Sequence, residues 1–439
     1  MPEPVPVTKS ATLAADEALE RRRRAGEQVL SLASGEIGLP VLPALKERLA
    51  RAAGRNAYGP VAGHPALRAA AADYWGRRGL DTDPDLVLCG PGSKPLLFAL
   101  MLAIGGDVVV PVPSWVSYAA QARLAGAHPI HVPTLPGQGG VPDPDALRTA
   151  VTAARAAGRD PRCVIVTLPD NPTGTIAEPD TLHRLGQAVR ELDLVVVSDE
   201  IYCDLVYDRD THPAPSPAAF APERTVVTTG LTKNLALGGW RTGVARLPQG
   251  PLGRALYGRL EAVASQLWSS TAAPVQDAAA YAFTEPQEVR AYVAAARRLH
   301  EQIVREVARH LTAAGAELTP VRATSYLYPS FEPLRDHLVE THGVSGAGEL
   351  AALFAQRYGV GLLPGSAFGE ADHHLRIRIA TSRLYGESEA ERTAALTADT
   401  PLELPWIKAS LDRIAEVLDD LVPPAARPAP ATAALTGRV

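Results

Sequence analysis

The chain has 439 residues, 46% hydrophobic and 21% charged, with 43 basic against 48 acidic side chains. That balance is wrong for a disordered chain, and a net charge of −5 argues against a general binder of nucleic acid or anionic membrane. Cys89, Cys163 and Cys203 stand far apart with no CxxC pair, so neither a disulfide framework nor a cysteine zinc site is expected, and a reducing cytoplasm fits. No apolar leader core is visible in residues 1–10. No run reaches the ~20 apolar residues that span a bilayer.

In chain order, the proline-rich opening MPEPVPVTKS and the tail PPAARPAPATAALTGRV (423–439) lack an apolar period and read as disordered. The arginine run 21–24 lies in a Glu/Arg/Ala segment that reads as a solvated helix. From residue 64 the pattern alternates. Helices are expected at 64–78, 94–104, 116–125, 144–158 and 179–193, and strands at 85–90, 107–112, 128–132, 163–169, 194–200, 225–231 and 242–247. The strands are nearly continuous apolar runs, as when both faces are buried. The expected fold class is therefore α/β, a seven-stranded, mostly parallel sheet between helices. Residues 287–315 hold a helical period over about eight turns. Beyond them, strands near 316–322, 326–332 and 374–381 and helices near 348–358 and 406–421 suggest a small α+β domain. The expected division is a segment 1–45 completing the small domain, a large domain 46–285, an interdomain helix 286–315, a small domain 316–422 and the tail 423–439.

Ligands of open α/β sheets bind beyond the carboxyl ends of the strands, so polar residues there are the candidates. Gly92-Ser93-Lys94, Asp170-Asn171, Asp199 with Tyr202, and Lys233 with Arg241 all fall at such ends. Lys233, among small neutral residues after a strand, suits a Schiff-base amine, which needs low solvation. Arg241 could clamp a phosphate through two parallel hydrogen bonds. Asp199 ends a run of valines, where a carboxylate is costly unless it meets a cation or a strong donor. His373-His374 is no zinc pair if the two sit on a strand, since neighbours there point to opposite faces. Cys203 reads as a small buried residue and Trp240 as packing. No metal site is expected.

The stretches YGPVAGHPALRAA (58–70), DNPTGT (170–175), VVVSDEIYCDLVY (195–207), GLTKNLALGGWRTG (230–243) and LRIRIATS (375–382), in this order, resemble the class I/II aminotransferases related to aspartate aminotransferase. These are fold-type I enzymes dependent on pyridoxal 5′-phosphate. The resemblance covers roughly residues 30–422. It implies that Lys233 holds the cofactor and shuttles the Cα proton, and that Asp199 pairs with the pyridine nitrogen. Tyr202 and Asn171 would bond the ring's phenolic oxygen, and Trp115 would stack on the ring. Ser93, Lys94 and Arg241 would hold the phosphate, and Tyr58 would reach the phosphate of a neighbouring subunit, implying a homodimer with shared sites. Arg376 would grip the substrate α-carboxylate, beside Gly35 and Asn171. Departures from the family pattern are Gly230 in place of a phosphate-binding serine (Thr229 or Thr232 could substitute), Thr242 after the arginine, GEIGLP (35–40) without the usual Pro-Asp, and an inserted TADTPLELP (397–405).

The activity implied is transfer of an amino group from a small α-amino acid to a 2-oxo acid by a ping-pong route. The same scaffold could instead run elimination or replacement, decarboxylation or oxidative deamination in bacterial specialised metabolism. A regulator would need an N-terminal DNA-binding module, for which about thirty residues are too few. Acidic, aromatic and aliphatic donors all remain open from the sequence.

Overall fold

Seven strands form one sheet in the computed structural model, which describes residues 9–209, 215–423 and 427. They are β1 (Val87–Gly90), β2 (Asp107–Val112), β3 (Pro129–Pro133), β4 (Pro161–Thr167), β5 (Val195–Asp199), β6 (Thr225–Gly230) and β7 (Gly243–Arg246), in the order β1-β7-β6-β5-β4-β2-β3. Only β7 runs against its neighbours; the pairs β6–β5, β5–β4, β4–β2 and β2–β3 are parallel. The expected α/β class is what forms, and the strand ends fall within two residues of those expected.

The valine runs explain the two-sided burial. Val108, Val110, Ile165 and Val197 pack into one layer with helices Ser93–Ile104 and Pro251–Leu267. Their neighbours Val109, Val164, Val166 and Val196 pack into the opposite layer under Pro144–Ala156 and Pro179–Glu191. Each fully buried valine contributes about 1.5–3 kcal/mol, so alternation on both faces fixes the register. Helix starts follow local chemistry. Pro144 and Pro65 sit at first helical positions behind Asp143, which accepts from Asp145 N (3.0 Å), and His64, whose ring accepts from Ala66 N (3.3 Å).

Helix Gln287–Ala313 runs about 40 Å. It buries Val289, Tyr292, Ala296, Leu299, Ile303, Val307 and Leu311 along one stripe, against helix Pro405–Leu421 among others. The C-terminal elements are an antiparallel sheet with Ile377–Ala380 between Leu363–Pro364 and Tyr326–Leu327. Leu30–Ser31 pairs in parallel with Val360–Gly361, tying the N-terminal segment to this part of the chain.

Three local expectations are corrected. Residues 316–322 form no strand, only a bridge from Glu317 to Ser330, because Pro320 removes a donor midway. Only Tyr326–Leu327 of the next segment is extended into the sheet, with Pro329 close behind. His373 and His374 lie in a turn before their strand, not on it, with ring centroids 4.3 Å apart. The inserted 397–405 forms one turn, Pro401–Glu403, whose buried proline with Leu402 and Leu404 packs on the core before the last helix begins. The expected disorder of the opening and of the tail concerns mainly residues 1–8 and those past 423, outside the described residues. No helix among the described residues is long and apolar enough to cross a membrane.

Candidate active site

The carboxyl ends of β4, β5 and β6 and the start of the helix after β1 open into one cavity of about 500 Å³. Its lining includes Gly35, Ser93, Lys94, Trp115, Asn171, Asp199, Tyr202, Lys233 and Arg241, so one site collects nearly every residue singled out from the sequence. Lys233 follows β6 by three residues, and its Nζ donates to the Gly35 carbonyl at 2.6 Å. The loop carrying it is fastened from below. Asn234, the next residue, donates to Asp204 Oδ2 at 2.9 Å, and Tyr74 donates to the same oxygen at 2.9 Å. Arg78 (2.7 Å) and Arg209 donate to Oδ1. Burial would raise the Asp204 carboxyl, but the two guanidiniums hold it well below the usual carboxylate range. Cys203 beside it is a largely buried thiol 3.1 Å from the Tyr74 hydroxyl, and burial pushes it up to about 12. Trp240 packs against the core as expected.

Asp199 closes β5 at the floor of the cavity. Tyr118 donates to its Oδ2 at 2.9 Å and Thr228 to its Oδ1 at 3.3 Å. Burial raises its carboxyl to about 6 against these donors and the nearby Lys233 charge. No cation makes an ion pair with it among the described residues, which leaves room for a cationic partner from a ligand. Tyr118, buried by its packing and held to Asp199, was not foreseen from the sequence. Only its place three residues after Trp115, on helix Tyr118–Leu124, hinted at it.

The opposite end of the cavity is cationic. Helix Ser93–Ile104 presents its first turn there behind Gly92, at φ 98°. A Cβ on Gly92 would stand 2.4 Å from Arg241 Nη2, so the glycine lets the guanidinium lie against the helix start. Arg241 itself takes a left-handed backbone (φ 56°) and donates to Gly238 O at 2.8 Å. Lys94 Nζ lies 5.0 Å from the Trp115 ring centre. Burial, then Arg241 and Lys233, pull its ammonium below the usual lysine value. Unpaired N–H groups at a helix start with two cations form a phosphate-binding arrangement. Of the two threonines that could replace a serine at Gly230, Thr229 is buried and donates to Glu200 O (3.2 Å), while Thr232 lines the cavity. Gly230 itself has no room for a side chain: a Cβ would stand 2.6 Å from Thr242 O.

The carboxylate-binding expectation needs correction. Arg376 does not reach this cavity. It lies just before strand Ile377–Ala380 and lines a different cavity of about 420 Å³, its Nε 3.9 Å from Glu370 Oε2. Arg378 is the residue inside. It is buried, donates from Nη1 to Asn171 Oδ1 (3.3 Å) and from Nη2 to Ala33 O, and keeps its Nε without a partner. The motif holds two arginines on the same strand face, and about 6–7 Å of strand rise separates them, enough to move the charge from one cavity to the next. Beside Arg378 stands Tyr326, which the sequence reading missed. Its hydroxyl is 3.0 Å from that of Tyr202 and donates to Gly35 O at 3.4 Å. A Cβ on Gly35 would stand 2.6 Å from that hydroxyl. Burial raises the Tyr202 phenol. Burial would raise Tyr326 too, but the Lys233 and Arg378 charges bring it below the ordinary tyrosine value.

Helix Ala11–Arg24 supplies a wall. Ser10, Thr12, Leu13 and Asp16 line the cavity, and Leu19 is buried against Gly361. The expected solvated helix is therefore solvated on one side only. Ala11, Ala15 and Leu19, at intervals of four, were the sign of its packed face. Tyr58 stands away from all of this, 90% exposed.

An amine on a loop, a buried carboxyl without a cation, a cationic helix start and an arginine with a free buried N–H together fit pyridoxal 5′-phosphate and an amino-acid carboxylate. Residues 27–384 match the family model of aminotransferase class I and II, and the chain belongs to this family of pyridoxal-phosphate enzymes. The chain is 33% identical over 391 residues to a probable aspartate/prephenate aminotransferase of Thermus aquaticus (88% of this chain, 96% of that protein). It is 34% identical over 391 residues to the aspartate/prephenate aminotransferase of Thermus thermophilus (88% and 95%). The crystal structure of the Thermus thermophilus aspartate aminotransferase with maleate superposes with a TM-score of 0.78 at 30% identity, covering 93% of this chain and 97% of that one. The chain is a pyridoxal-phosphate-dependent aminotransferase that moves an amino group between an amino acid and a 2-oxo acid.

Proposed function

We propose that the donor is a dicarboxylic amino acid such as aspartate. Lys94 carries this reading: it is a half-buried ammonium that lines the cavity and, among the described residues, makes no ion pair. A cation held there with its solvation reduced favours an anionic group on the ligand. Names among the relatives, aspartate aminotransferase of Geobacillus stearothermophilus included, agree with a dicarboxylic donor.

We assign the chain's own groups as follows. Arg378 binds the α-carboxylate through its fork of donors, with Asn171 and the Gly35 backbone beside it. Lys233 Nζ takes the Cα proton and returns it on the far side of the transferred nitrogen. Bound pyridoxal phosphate supplies the electron sink for breaking the Cα–H bond. Asp199, steadied by Tyr118 and Thr228, would pair with its ring nitrogen, and Tyr202 and Asn171 with its phenolic oxygen. Trp115 would cover the ring, and Ser93, Arg241 and Thr232 would hold the phosphate while Lys94 reaches the substrate's second carboxylate. Lys94 stands close enough to Arg241 for the two charges to interact, so it also strengthens the phosphate end. The two half-reactions use the same residues in opposite order.

We further read the chain as a cytoplasmic homodimer in which Tyr58 completes the partner's phosphate site; its exposure supports this. The division at about residues 45, 285 and 315 is our reading of the change in element pattern on either side of helix Gln287–Ala313.

The test is incubation of holoenzyme with single amino acids, each with and without 2-oxoglutarate, following keto acids and ammonia. A dicarboxylic donor used at least tenfold better than aromatic or aliphatic ones, with that preference lost in Lys94→Ala, supports the reading. Equal use of apolar donors by both proteins overturns it.

A further inference from the structure

Tyr326 touches both ends of the reacting centre. It sits on strand Tyr326–Leu327, 1% exposed, inside the cavity rather than behind it. Its ring lies under the Arg378 guanidinium, with Cζ 4.9 Å from the ring centre. The ring meets Tyr202 edge to face, centroids 5.6 Å apart at 83°. Its hydroxyl shares the Gly35 carbonyl with Lys233 Nζ, at 3.4 Å against 2.6 Å. Gly35 must be glycine for this arrangement, since a Cβ would occupy the hydroxyl's place.

We propose that Tyr326 is a positioning residue that couples the carboxylate-binding arginine to the proton-carrying lysine. Its ring face orients Arg378, and its hydroxyl, with Gly35 O, orients Lys233 and Tyr202. The two halves act on different steps. The ring supports binding, because a guanidinium stacked on an aromatic face keeps the plane that a carboxylate needs. The hydroxyl supports proton transfer, because a misplacement of about 1 Å at a reacting amine costs up to roughly a hundredfold in rate. This rests on the roles given above to Arg378 and Lys233.

The halves separate by substitution in the holoenzyme. Tyr326→Phe keeps the ring and loses the hydroxyl; Tyr326→Leu loses both. Binding is read with 2-methylalanine, which has no Cα proton to lose and no side chain to discriminate, through the change in cofactor absorbance. Turnover is read with the donor found in the assay above. Expected for Tyr326→Phe is a kcat lower by about tenfold or more with the 2-methylalanine Kd within about twofold. Expected for Tyr326→Leu is the same loss of kcat and a Kd weaker by about tenfold. An unchanged kcat in Tyr326→Phe, or a wild-type Kd in Tyr326→Leu, overturns the proposal. Should Tyr326→Leu not fold by circular dichroism, Tyr326→Phe decides, being nearly isosteric. Arg378→Ala, with Tyr326 intact, keeps the two readings apart. Undiminished binding there removes the carboxylate assignment itself, and the role of Tyr326 falls with it.

Discussion

Two arginines two residues apart differ completely in what they face. Arg378 has a buried, unpartnered Nε beside Asn171, while Arg376 faces Glu370 in a separate cavity. Arg378→Ala is expected to raise KM for the amino acid about a hundredfold, the loss of a charge-assisted bidentate pair, and Arg376→Ala to change it less than threefold. Equal effects in steady-state kinetics would show that the cavity does not hold the carboxylate. Asp199 is the second test at this scale. Its carboxyl is raised to about 6 by burial, so the native cofactor-free protein binds a proton there more tightly than the unfolded chain. The stability this confers is fully present below about pH 4 and is lost as pH rises through about 6. Asparagine carries no such dependence. Cofactor-free Asp199→Asn should therefore gain in melting temperature relative to wild type between pH 5 and pH 8, while the loaded variant loses at least a hundredfold in kcat. A gap in melting temperature that does not change with pH would contradict the assignment.

Among the elements, helix Ala11–Arg24 and the loop after β6 decide how well the cavity is formed. The helix packs through Ala11, Ala15 and Leu19, of which Leu19, against Gly361, is the deepest. Leu19→Ala should release it locally: faster amide exchange over residues 11–24 and a KM several-fold higher, with the melting temperature lowered by only a few degrees. Unaltered exchange would mean the helix is held by other contacts. The Lys233 loop rests on the buried Asp204 carboxylate, which pairs Arg78 and Arg209 and receives Asn234. Asp204→Ala strands the partly buried Arg209 guanidinium and leaves Arg78 with Glu285 alone, a cost of about 3–5 kcal/mol. Calorimetry should show a drop of several degrees or more, together with a lower kcat as Lys233 loses its anchor.

For the molecule as a whole, the exposed Tyr58 ring is the feature that a single chain leaves unexplained. If it completes a partner's site, Lys233→Ala and Tyr58→Ala proteins, each weakly active, should restore activity when refolded together. The hybrid then contains one intact site, about a quarter of the wild-type sites on random pairing. No recovery, with a dimer confirmed by sedimentation, would place Tyr58 outside the site.

The seven strands, their two-sided burial and the clustering of Lys233, Asp199, Asn171 and the Ser93-Lys94 helix start were legible in the chain itself. Local apolar period and strand-end position dictate them, and neither needs distant partners. The motif LRIRIATS marked the strand that sends an arginine into the cavity but not which arginine, because alternation assigns both to one face and only packing against Asn171 and Ala33 separates them. Tyr326 and the wall formed by helix Ala11–Arg24 were not legible: each enters the cavity from a segment far away in sequence. Apolar and polar spacing determines which face a residue takes within its own element. Which cavity that face borders depends on how separate elements dock, and that is settled only when the cores close around one another.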